Sequence, residues 1–291
     1  LQSCQEEFEA EGIDDMIAFK VTNDAEAVTR SGEEIVEIPL EVADEVLSLT
    51  LSTEDNGNGN FADGDVATRG AAFDNGAHKV SAIHATAIIE NGNGGSIYIN
   101  DENVSIANGK GRSTHFWPEK PLSFFAYTVS KDSIMIAPVF QRTDGKCKGT
   151  FSYTLPAAAA SDPKKDATDQ PDIIFAITPD HSKEDGTEVD LVFHHALSAL
   201  VFKVGTMPSD VYLNSIAIDG VYSSGDCNMT PGADNNVIFE WSGQKTLGKY
   251  TESIGKKAVA GEQMGGEDAI FMMIPQTLGD AAKLILSFSI S

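Results

Sequence analysis

No stretch of 18 consecutive apolar residues occurs in this sequence, so no segment of it reads as a membrane-spanning helix. Cysteine is scarce. The three residues Cys4, Cys147 and Cys227 form neither a CxxC pair nor a zinc-ligand spacing. Cys147 and Cys227 read either as a disulfide pair or as two partly buried thiols. Basic residues are few as well: 20 against 44 acidic ones, a formal net charge of −24. Such a surface repels the phosphates of nucleic acids and the head groups of anionic lipids. Attachment to a membrane is therefore expected to be covalent. GxSxG, HExxH, GxGxxG and P-loop patterns are missing, so nothing points to catalytic residues or to a cofactor. Helical apolar periodicity is weak throughout; the best stretch, Leu155 to Ala160, is short and interrupted by Pro156.

What the chain does carry is strand patterning. Val46 to Ser52 (VLSLTLS) alternates apolar and hydroxylic residues, and Leu284 to Ile290 (LILSFSI) alternates from end to end. Ser96 to Asn100 is short, β-branched and aromatic. Leu122 to Val129 (LSFFAYTV) is a continuous apolar run of strong strand formers. Leu191 to Val204 reads as one long strand or a pair with a break near His195-Ala196, and Met16 to Val21 as a further strand. Turn signals separate them: Asp55 to Asn60, Asn91 to Gly95, Asn108 to Gly111 and Ser223 to Asp226. Many short strands with frequent turns predict an all-β chain of two antiparallel β-sandwich domains. Its 291 residues suit two domains of ordinary size. Polar stretches at 157–170 and 179–186 put the junction near residue 185. The expected divisions are an acidic leader over 1–40, one sandwich over 41–185 and a second over 186–291.

Features that could carry chemistry weigh towards structure. His194 and His195 are adjacent, and neighbouring residues of a regular strand point to opposite faces, so the two rings are not expected to chelate one ion. The loop from Asp55 has the composition of a calcium loop but lacks its glycine at the sixth and glutamate at the twelfth position. Trp117 and Trp241 are expected to be core residues rather than sugar platforms.

The N-terminal Leu1-Gln2-Ser3-Cys4 resembles the end of a bacterial lipoprotein signal, with most of the signal expected to lie ahead of Leu1. The resemblance implies a lipidated Cys4, and Gln5-Glu6-Glu7 resembles a surface-export tag. Several acyl chains, at about 0.8 kcal/mol per buried CH₂, would anchor such a protein stably.

Six segments, in order, resemble the fimbrillin family of pilus subunits. They are Ala67-Thr68-Arg69-Gly70; Phe116-Trp117-Pro118 with Leu122 to Tyr127; Asp172 to Ala176; Phe193 to Ser198; Gly220 to Gly225; and Ile274-Pro275-Gln276. The resemblance covers residues 40–291. It implies transthyretin-like sandwiches and a fimbrial stalk or tip subunit of the outer membrane and cell surface, active in adhesion, with no enzymatic role. It also implies a mechanism. A trypsin-like protease cuts after an arginine, a strand leaves, and a strand of another subunit fills the gap, giving a head-to-tail filament. The expected cut lies between Arg69 and Gly70, with Arg30-Ser31 as the alternative. The strand expected to leave carries Leu47, Leu49 and Leu51. The family continues with strands beyond the one at Leu284, so the second sandwich is expected to be cut short or to differ at Ser291. The competing expectation is a monomeric surface lipoprotein that binds a glycan or host ligand through sandwich loops.

Overall fold

A computed structural model describes residues 16–23, 34–42, 45–54, 80–91, 94–130, 136–155, 170–205, 211–265 and 270–290. Strands β1 (Met16–Asn23), β2 (Glu34–Val42), β3 (Glu45–Glu54) and β4 (Ala82–Glu90) open the chain. There follow β5 (Gly95–Ser105), β6 (Lys110–Phe116), β7 (Leu122–Val129), β8 (Val139–Thr143), β9 (Lys146–Thr154) and β10 (Ile173–His181). The last six are β11 (Glu188–His195), β12 (Ser198–Val204), β13 (Val211–Pro231), β14 (Val237–Lys257), β15 (Phe271–Met273) and β16 (Lys283–Ile290). The described residues are all-β, apart from 3₁₀ turns at Lys183–Asp185 and Ala233–Asn235, and none of their helices is long and apolar enough to cross a membrane.

The strands form three sheets, ordered β5-β4-β7-β10-β11-β1-β6, β15-β12-β3-β2 and β14-β13-β9-β8, with β16 added to β13. The seven-stranded sheet curls until its two end strands, β5 and β6, lie side by side. One core fills the inside of that curl: Ile17, Phe19, Ile83, Ile99, Leu122, Phe124, Ile174, Val189, Leu191 and Phe193. A second core lies between the outside of the sheet and the β8–β9–β13–β14 sheet, built on Phe125, Phe151, Phe175, Val201, Met229 and Met272. A third joins Phe202, Val204, Leu213, Ile216, Tyr250 and Phe271. Residue 185 lies in the turn between β10 and β11, which are neighbours in the seven-stranded sheet.

This layering explains the sequence patterns. The run LSFFAYTV is apolar without alternation because β7 is buried on both faces: Phe124 and Ala126 face the first core, Phe125 and Tyr127 the second. Strand β10 does the same with Ile174 and Ala176 against Ile173, Phe175 and Ile177. Strand β9 covers one core only and alternates strictly, with Cys147, Gly149, Phe151 and Tyr153 inward. Each of these strands adds about 1.5–3 kcal/mol per fully buried large side chain.

One expected turn is not a turn. Ser223 to Asp226 lies inside β13, a 21-residue strand paired along its length with the 21-residue β14. The Ser223 and Ser224 hydroxyls donate to the Thr246 and Lys245 carbonyls at 2.9 and 2.7 Å, and a bulge between Ser224 and Asp226 takes up the irregularity. Small residues here permit a bend within the strand rather than a reversal. The break expected near His195-Ala196 does separate β11 from β12.

Candidate functional site

The seven-stranded sheet owes one of its inner members to the N-terminal part of the chain. Strand β1 lies between β11, which it pairs in parallel from Ala18↔Glu188 to Asn23↔Phe193, and β6, which it pairs antiparallel from Met16↔Phe116 to Lys20↔Lys110. The Ile17-x-Phe19-x-Val21 alternation sets its inward face. Ile17 and Phe19 are wholly buried in the first core, and Val21 packs partly buried at its edge. On the outward face Lys20 bridges Asp190 at 2.9 Å, and beside it Lys110 bridges Glu188 at 2.8 Å. These pairs are exposed, so they set register more than stability. Without β1, β6 and β11 would each lose a ladder and the core would open along one strand's length.

The curl is closed elsewhere by side chains. Glu102 on β5 accepts the amide and the hydroxyl of Thr114 on Oε1, both at 2.8 Å. Its Oε2 accepts the Ser113 hydroxyl and lies 3.2 Å from His115 Nδ1. Tyr98 donates to the Phe116 carbonyl at 2.8 Å across the same seam. Burial pushes the Glu102 carboxyl up, but the hydrogen bonds from Ser113, Thr114 and His115 outweigh it and hold the group below its ordinary range. Nothing in the sequence singled Glu102 out from the other acidic residues.

Strand β3, with Leu47, Leu49 and Leu51, sits in the sheet with β12, at Glu54↔Ala199 to Leu49↔Val204, and pairs β2 on its other side from Glu34↔Thr53 to Val42↔Glu45. Among the described side chains, those of β1 line the first core, and the side chains of Leu47, Leu49 and Leu51 lie outside the described residues. Cys4, Arg30, Ser31, Arg69 and Gly70 lie outside the described residues, as does the loop from Asp55.

The other singled-out residues hold one another. The Gln276 side chain accepts from the Tyr222 amide at 2.7 Å and donates to the Tyr222 carbonyl at 2.9 Å, standing in for a neighbouring strand. His195 Nδ1 lies 2.8 Å from the wholly buried Asp172, while His194 Nε2 lies 3.2 Å from the Asn235 carbonyl, so the two rings meet different partners. Trp117 packs edge-on against Phe124 at 5.8 Å, and Trp241 donates to the Ala196 carbonyl at 3.1 Å. Gly220, at φ 71°, sits where an added Cβ would meet the Ala281 carbonyl oxygen at 2.0 Å. Cys147 and Cys227 are free buried thiols rather than a disulfide, and burial pushes Cys227 up to about 12. Arg142, which the sequence did not mark, is buried between Glu90 and Asp180 and ties β8 to the seven-stranded sheet. These contacts join strands to one another and fill the cores between them.

Residues 67–291 match a family model described as fimbrillin-like. No curated protein and no solved structure gives a match. The matched span includes β4 to β16 and leaves out β1, β2 and β3.

Proposed function

The chain belongs to the fimbrillin-like family, and on that premise we propose that it is a fimbrial subunit exported as a lipoprotein on Cys4 and assembled by strand exchange. A protease cut after Arg69 separates a leader holding β1 to β3 from the body. A strand of the next subunit then takes the slot between β6 and β11.

The observation that carries this reading is the place of β1. It is an inner strand of the seven-stranded sheet, yet it comes from the part of the chain that the family match leaves out. Its loss would expose Ile17's and Phe19's share of the core, at roughly 1.5–3 kcal/mol for each side chain. A donor strand restores both the ladders and the burial, as in β-strand addition. Charge supports the same direction. Residues 1–69 hold 18 of the 44 acidic residues and 3 of the 20 basic ones, so they carry −15 of the net −24. Shedding them reduces the repulsion between copies. Filament growth follows head to tail, because the donor and the acceptor are different parts of the molecule. Adhesion at the cell surface is the role such a filament serves.

The test is cleavage and assembly of the full chain. Limited trypsin digestion is expected to cut once near Arg69, and electron microscopy to show filaments afterwards. Arg69→Ala is expected to stay a folded monomer. Filaments from Arg69→Ala would move the cut to Arg30 or end the mechanism. Stable monomers from the cut chain would favour a surface lipoprotein that binds its ligand through loops.

A further inference from the structure

Positive charge is scarce in this chain, yet it gathers on one sheet face. Residues 244–291 hold five basic and five acidic residues, so the whole net charge of −24 lies ahead of them. Two of the last strands, β14 and β16, flank β13 on opposite sides. Leu213, Ile216, Tyr250, Leu286 and Phe288 turn one face of these three strands into the third core. The alternate residues form the opposite face, most of which is open to solvent. We infer that this open face is a binding surface for an anionic polysaccharide, one bearing sulfate or uronate groups. The uncut chain already carries the surface, which needs neither cleavage nor strand exchange.

Register places the lysines. Lys249 and Lys283 stand on either side of Asp219, each one strand away, so their backbones are about 10 Å apart. Lys257 lies beside Tyr212 at the other end, roughly 25 Å further along β14. Elsewhere Lys20, Lys110 and Lys256 meet carboxylates at 2.9, 2.8 and 3.8 Å. Lys249 and Lys283 form no ion pair among the described residues. Asp219 does not serve them: its Oδ1 accepts the amide of Gly220 at 2.8 Å. Two exposed ammonium groups on one row, with the carboxylate between them engaged elsewhere, repel each other and draw an anion.

The surface between those ends selects the kind of anion. Ser215 is flanked by Ser253 and Ser287, and Ala217 by Thr251 and Ile285, while Ser289 stands beside Tyr212. Hydroxyls both donate and accept, as those of a sugar do. Large apolar area comes here from Tyr212 and Ile285, which stand on different rows. A protein partner is centred on a contiguous apolar cluster, which this face lacks. An anionic polysaccharide needs ammonium groups for its charges and hydroxyls for the rest, along a stripe long enough for several sugar units. Its charged groups then meet lysines at both ends. The acidic remainder of the chain repels a polyanion, which confines binding to this face.

The experiment uses the full, uncut chain with Cys4→Ser. The probes are heparin, uncharged dextran, polyglutamate and phosphatidylglycerol vesicles, each titrated at low salt by calorimetry. Heparin is expected to bind, with an affinity that falls as salt rises, and dextran is expected not to bind. Lys249→Gln with Lys283→Gln is expected to weaken heparin binding roughly tenfold, the loss of two charge contacts to a polyelectrolyte. Lys110→Gln with Lys120→Gln removes the same charge beside the seven-stranded sheet and is expected to leave binding unchanged. Lys249→Arg with Lys283→Arg is expected to retain it, which separates lost charge from lost folding. Ser287→Val with Ser289→Val keeps the charge and is expected to weaken binding severalfold. Absence of heparin binding by the native chain overturns the inference. So does an equal loss from both glutamine pairs, which makes the effect one of bulk charge. Full affinity in the serine variant also overturns it, since the hydroxyls would then select nothing. Polyglutamate or vesicles bound as tightly as heparin overturn it in favour of an acidic protein or a lipid surface.

Discussion

Phe19 on β1 and Phe124 on β7 meet edge to face, with ring centroids 5.8 Å apart and planes at 81°. The contact joins the leader to the middle of the apolar run that marks the family unit. It also extends to Trp117, which packs against Phe124 from a second direction at 76°. The leader is thus built into the core by an aromatic anchor rather than laid over it.

Phe19→Ala is expected to destabilise the uncut chain by about 3–5 kcal/mol, the range for a buried phenylalanine. Chemical denaturation of the uncut protein measures it. After cleavage the same substitution should hasten loss of the leader without harming the body, as gel filtration of the cut chain would show. An unchanged unfolding midpoint would mean that β1 contributes little to the sheet.

The Glu102 seam has a pH signature. The carboxyl's folded value lies below its ordinary value of 4.5, so the ionised form stabilises the fold. That contribution is present above the ordinary value and is lost as pH falls through the folded value. Glu102→Gln is expected to lower stability near neutrality by about 1–2 kcal/mol, since its bonds are those of a charged acceptor. The difference from the native chain should shrink below pH 4.5. Thermal melts between neutral and acidic pH test this; a constant difference would remove Glu102 as its source.

Gly220→Ala is expected to unfold or loosen the β13–β16 region. The backbone there has φ 71°, and the new methyl would meet the Ala281 carbonyl oxygen. The left-handed conformation alone costs about 1–2 kcal/mol for an alanine, and the clash adds to it. Hydrogen exchange over β16 and residues 274–282 would locate the effect. Exchange unchanged from the native protein would contradict it.

Neither Cys147 nor Cys227 is expected to react with iodoacetamide in the folded protein at pH 8. Both are buried, and burial raises both thiols. Mass spectrometry of a Cys4→Ser variant should find both labelled only after denaturant is added. Rapid labelling of either without denaturant would contradict their burial.

How far the fold could be read in advance depended on whether a strand covers one core or two. Strand β9 faces one and alternates; β7 faces two and shows only a continuous run that does not say where it packs. Strand β14 escaped notice because much of its outer surface is exposed, with Gly243, Gly255, Gln244 and several lysines in place of apolar alternation. Pairing was the harder part. Met16 to Val21 reads as a strand locally, but its parallel partner is β11, far along the chain. Likewise β3 shows its alternation plainly, while nothing local says that it joins β12. The family landmarks were legible as residues, but their reasons were not. That Gln276 completes the backbone of Tyr222, and that Asp172 holds His195, emerges only when distant segments meet.

The long β13–β14 hairpin has a mechanical consequence. Its Cys227–Val237 end belongs to the second core and its Val211–Tyr250 end to the third, so one continuous ribbon runs through both. Tension applied along such a ribbon loads its ladder bonds in shear, where many must give way together. Tension across it would peel them one at a time. In a filament whose pull runs along the ribbon, the hairpin would act as a tie rod.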